Sequence, residues 1–66
     1  MIVKNLLKTF DNSTFERFSV KIKTWDLYNG FRSWDYNDLE IQNAKVQNIV
    51  IYNQYQEIEI QAQIKR

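Results

Sequence analysis

The 66-residue chain has no cysteine, no histidine and no proline, and Gly30 is its only glycine. Without thiols or imidazoles there is no disulfide framework, no zinc finger, no thiol nucleophile and no triad built on a histidine base. A single glycine excludes a phosphate-binding loop and a glycine-rich dinucleotide turn. Long apolar runs are also missing. No stretch approaches the ~20 residues needed to cross a bilayer, and Met1 to Phe10 does not form a signal-peptide core. The chain therefore reads as a cytoplasmic protein with no membrane partner, no metal and no cofactor.

A chain this short buries only about 60% of its unfolded surface, so it needs reinforcement. With disulfides and His- or Cys-bound metals gone, self-association is what remains. The net charge of +1 is unevenly spread. Residues 1–23 carry five basic against two acidic side chains, residues 24–64 two against six, and Lys65 and Arg66 close the chain. Such a bipolar protein can stack on itself or present one charged face to a partner.

Val3, Leu6, Leu7 and Phe10 recur at i, i+3, i+4 and i+7, one face of a short amphipathic helix. Asp11 to Thr14 stop it with turn-forming residues. Ser13-x-x-Glu16 has the form of a capping box, but the pattern that follows is not helical, so no second helix is expected. From Phe18 the chain alternates: Phe18, Val20 and Ile22 against Ser19, Lys21 and Lys23. That is a strand, continuing to Tyr28. Asn29-Gly30 predicts a two-residue hairpin turn. This register sets Trp25 opposite Trp34 and Leu27 opposite Arg32, with Lys21, Lys23 and Tyr36 on the same face. Residues 35–43 read as a polar loop with one helical turn near Asn37–Glu40. Ala44 to Tyr52 form a third strand, Asn53-Gln54 a turn, and Tyr55 to Ile64 a fourth strand. In the fourth, Ile58, Ile60, Ala62 and Ile64 point inward, and Ile49 faces Ile58. The expected fold is α+β, a short N-terminal helix packed on a four-stranded antiparallel β-meander, with residues 1–66 as one domain.

The run Val3-Lys4-Asn5-Leu6-Leu7, the polar turn Asp11-Asn12-Ser13-Thr14, a strand and hairpin, then Val46-x-x-Ile49 and Ile58-x-Ile60 resemble a loose group of small phage and prophage proteins of Gram-positive bacteria. Those proteins open with a VKDLL helix and an Asp-rich turn. Here Asn and Ser stand where that group has Asp, and the hairpin carries two tryptophans. Heavy use of Asn, Gln, Ile and Lys suits the AT-rich genomes of such hosts. The resemblance implies an accessory protein in the host bacterial cytoplasm, of the size of anti-CRISPR and other counter-defence factors. Some proteins of that size are linked to DNA nicking.

Lys21, Lys23, Trp25, Leu27, Arg32, Trp34 and Tyr36 are the candidate site. They are read either as an oligomer interface, with tryptophans at its centre and lysines at its rim, or as a stacking platform for single-stranded DNA, where each base contributes ~1–3 kcal/mol. A core role for the tryptophans stands beside the interface reading, and a site for another ligand is the remaining possibility. Asp26, Asp35, Asp38 and Glu40 cluster in sequence, but their spacing specifies no convergence on a metal, and no serine or tyrosine has an imidazole partner. The leading expectation is a non-enzymatic homo-oligomer acting on a host protein, a defence component being the reading that the resemblance suggests. Single-stranded nucleic-acid binding is the alternative, and metal-dependent nicking is the most distant.

Overall fold

The structure, a computed structural model, describes residues 1–28 and 30–64. Helix α1 spans Val3–Thr9 and α2 Asn12–Arg17. The strands are β1 (Ser19–Asp26), β2 (Gly30–Asp35), β3 (Lys45–Tyr52) and β4 (Glu57–Gln63), with a single 3-10 turn at Leu39–Ile41. The α+β class stands.

Helix α1 follows its apolar stripe, with Val3 and Leu6 buried and Leu7 and Phe10 packed beside them. No side chain caps its start. Instead the Val3 and Lys4 N–H groups donate to the carbonyls of Ala44 and Gln42, each at 2.9 Å. Backbone from the segment before β3 thus satisfies donors that a helix leaves open.

A second helix forms where none was expected. Its cap is Asp11 rather than Ser13. The Asp11 carboxylate accepts from the Thr14 N–H at 3.0 Å and from the Ser13 and Thr14 hydroxyls at 2.7 and 3.0 Å. These bonds, the one from Ser13 foremost, hold the Asp11 carboxyl below its ordinary value. A strong cap sustains a helix of six residues that ends at Phe18, so the strand pattern begins without conflict.

The sheet order is β2-β1-β4-β3, and β1 and β4 run parallel. The meander is therefore corrected to a mixed sheet. The cause lies in the core-facing residues. Val20, Ile22 and Thr24 of β1 stand beside Ile58, Ile60 and Ala62 of β4, and all six are buried. Strands this apolar on one face are best covered at the centre of a sheet, with a strand on either flank. Residues 36–44 accordingly pass from one sheet edge to the other on the helix-bearing side, carrying Ile41 and Ala44 into the core.

Both hairpins are longer than expected. Tyr52 pairs with Glu57, so four residues form the second turn, and Gln56 takes a positive φ of 51°. Ile49 faces Ile60, and Ile51 faces Ile58. That shift of two residues preserves which side chains point inward. In the first hairpin Asp26 pairs with Gly30, whose φ is +70°. The shift there is three residues, and an odd shift moves one strand's side chains to the other face. The expected turn rested partly on Asn29, which lies outside the described residues.

Candidate functional site

The odd shift divides the expected constellation. Trp25 faces Phe31, and Trp34 faces Ile22. Lys21, Lys23 and Trp25 project from the helix-free face, whereas Arg32, Trp34 and Tyr36 belong to the helix-bearing side, and Leu27 sits in the turn. The two tryptophans do not meet.

Trp34 is a core residue, 6% exposed. Its indole Nε1–H donates to the Thr24 hydroxyl at 2.9 Å, which resolves the usual difficulty of burying that donor. Arg32 places its guanidinium 3.8 Å from the centre of the same ring, on its solvent side. Tyr36 stacks on Phe15 with ring centres 4.9 Å apart, and Phe15 in turn meets Phe10. These aromatics secure the two helices to the sheet.

The helix-free face has a different chemistry. At its centre the Glu59 carboxylate, 6% exposed, receives the Lys23 ammonium at 2.8 Å and the Gln61 amide at 2.8 Å. The hydrogen bond from Lys23 holds the Glu59 carboxyl below its ordinary value, and the same contact raises the Lys23 ammonium. Lys23 is thus committed to a carboxylate, while Lys21 and Glu57 lie beside the pair. Alternation alone points Glu59 outward. Its burial arises from neighbours on both flanking strands.

The hairpin end is apolar and uncovered. Trp25 is 57% exposed, Leu27 76%, Tyr28 86% and Phe31 78%. A groove beside them, lined by Trp25, Leu27, Tyr28, Arg32, Trp34 and Glu40 among others, continues onto the helix-bearing side. Phe31 joins this cluster only because the turn is longer than two residues, and sequence reasoning missed it for that reason.

The acidic residues near the hairpin serve local structure. Asp26 accepts the Tyr28 N–H at 2.8 Å, and Asp38 accepts the Glu40 N–H at 3.1 Å, closing the turn and the 3-10 segment. Among the described residues no group of three or more His, Cys, Asp or Glu side chains comes together to hold a metal ion. Among the same residues no helix is long and apolar enough to cross a membrane. Compared with protein-family models, curated proteins and solved structures, the chain matches none of them.

Proposed function

We propose that this protein is a non-enzymatic binding module that works as a homo-oligomer and engages a second protein through the exposed end of the β1–β2 hairpin. One observation carries the reading: four large apolar side chains, Trp25, Leu27, Tyr28 and Phe31, stand together in solvent at one end of a small domain. Contiguous apolar patches on small soluble domains mark interaction sites. Tryptophan, tyrosine and phenylalanine are the types that interfaces favour at their centres. The resemblance to phage and prophage proteins suggests a setting in the host bacterial cytoplasm and a host protein, such as a defence component, as the second partner.

The oligomer is tested by small-angle X-ray scattering. The single chain has a Cα radius of gyration of 11.5 Å, whereas a dimer of this length should reach about 14 Å or more. A concentration-independent radius at the single-chain value contradicts the reading.

Single-stranded nucleic-acid binding is the second reading, favoured by Trp25 lying exposed on the same face as Lys21. Glu57 and Glu59 on that face oppose phosphate, Lys23 is already paired, and Trp34 offers no ring to a base. Salt-sensitive quenching of tryptophan emission by single-stranded DNA supports this alternative; unchanged emission at low salt removes it.

A further inference from the structure

The groove at the hairpin end has a volume of ≈ 610 Å³, inside the ~300–1,000 Å³ range of small-molecule sites. Trp34 forms its fixed part, with the ring buried and the indole N–H spent on the Thr24 hydroxyl. Trp25, Leu27 and Tyr28 line the outer part with apolar surface that faces solvent in the single chain. Ile64 adds a partly buried aliphatic side chain.

Arg32, Glu40 and Asp26 are the charged residues that line the same groove. Asp26 is engaged locally, where its carboxylate accepts the Tyr28 N–H. Arg32 lies over the Trp34 ring, its guanidinium carbon 3.8 Å from the ring centre. That contact orients the cation and uses none of its N–H donors. Glu40 stands on the 3-10 turn with its side chain exposed. Among the described residues, Lys23 and Glu59 form the ion pair, and neither Arg32 nor Glu40 has a charged partner. The groove thus holds a cation and an anion that are closed neither on each other nor on a neighbour. An anionic ligand there meets Glu40, and a cationic one meets Arg32, so a ligand of either single charge faces a like charge. A ligand that carries both charges satisfies both poles.

We propose that this groove binds a free α-amino acid with a large apolar side chain. The ligand carboxylate meets the Arg32 guanidinium, whose planar fork fits a carboxylate through two parallel hydrogen bonds. The ligand ammonium meets the Glu40 carboxylate, and the ligand side chain packs against Trp25, Leu27 and Tyr28. The terminal residues of a peptide fit less well, because each carries only one of the two charges. This site goes beyond the proposed function and does not depend on the oligomer.

The Trp34 indole N–H, followed by NMR, reports on the groove during titration with L-phenylalanine, N-acetyl-L-phenylalanine and L-phenylalanine amide. The acetyl form lacks the cation, as a peptide's C-terminal residue does. The amide lacks the anion, as an N-terminal residue does. L-Phenylalanine should shift the signal at millimolar concentration and bind about tenfold more tightly than either derivative. Glu40→Gln should remove the advantage over the acetyl form. Arg32→Met, whose apolar chain still covers Trp34, should remove the advantage over the amide. Both positions are exposed, and a dispersed Trp34 signal in each variant shows that the core is intact. No shift with L-phenylalanine overturns the proposal. Equal binding of the three probes to the wild type overturns it too, as does a preference that survives either substitution.

Discussion

The Lys23 ammonium meets Glu59 Oε1 at 2.8 Å across the parallel β1–β4 pair, on a sheet face that carries no helix. Glu59 is the buried partner and Lys23 the half-exposed one, and this asymmetry sets how the contact responds to pH. The Glu59 carboxyl is depressed in the folded chain, so its contribution is fully present above the ordinary value of 4.5. It is lost as pH falls from there through the lower folded value. Glu59→Gln should therefore flatten the decline of stability below about pH 4.5, measured by urea denaturation across pH. A residual decline is expected from Asp11, whose depressed carboxyl acts in the same direction. Lys23→Met should be more damaging than Glu59→Gln at neutral pH, because it leaves a buried carboxylate with Gln61 alone. Equal pH profiles for wild type and Glu59→Gln would contradict this account of the contact.

Thr24 and Trp34 form the buried hydrogen bond that fixes β2 against the core. Thr24→Val keeps the shape and removes the acceptor, leaving an indole N–H in an apolar setting. A loss of about 1–3 kcal/mol is expected in denaturant midpoint analysis. Thr24→Ser should recover part of it.

The two tryptophans should separate sharply. Trp34→Ala opens the core and should cost about 3–5 kcal/mol. Trp25→Ala touches an exposed ring and should stay within about 0.5 kcal/mol. In single-tryptophan variants, Trp25 emission should lie to the red and be readily quenched by acrylamide, and Trp34 should be shielded.

Much of the fold is legible in the sequence because its apolar periodicity is strong. The Val3–Leu6–Leu7–Phe10 stripe and the Ile58–Ile60–Ala62 alternation identify α1 and β4 directly. What escapes is chain direction and register. Adjacent strands in sequence need not be neighbours in space, and the central position of β1 and β4 depends on which pair most needs cover on both flanks. In the β3–β4 hairpin, two extra turn residues leave the inward set unchanged. In the β1–β2 hairpin, an odd shift sends Trp34 to the core and leaves Trp25 in solvent. The candidate residues are accordingly divided between the two faces of the sheet. Lys21, Lys23, Trp25 and Leu27 remain on accessible surface or at the turn, and Phe31 replaces Trp34 opposite Trp25.

Ile41 tests the crossing segment that no periodicity announces. It is fully buried although it lies in a short 3-10 turn. Ile41→Ala should cost about 2–5 kcal/mol, a penalty in the range of strand core positions, read as a shift in thermal midpoint without change in secondary structure content. A loss below 0.5 kcal/mol, the usual range for surface substitutions, would mean that residues 36–44 are not anchored as described.

The oligomer carries most of the functional proposal, and the solution mass of the unmodified chain measures it directly. Size-exclusion chromatography with light scattering should give twice the 8.1 kDa chain mass, stable on dilution through the micromolar range. A mass of 8.1 kDa at every concentration would contradict it, and the exposed hairpin would then be a surface of a lone chain.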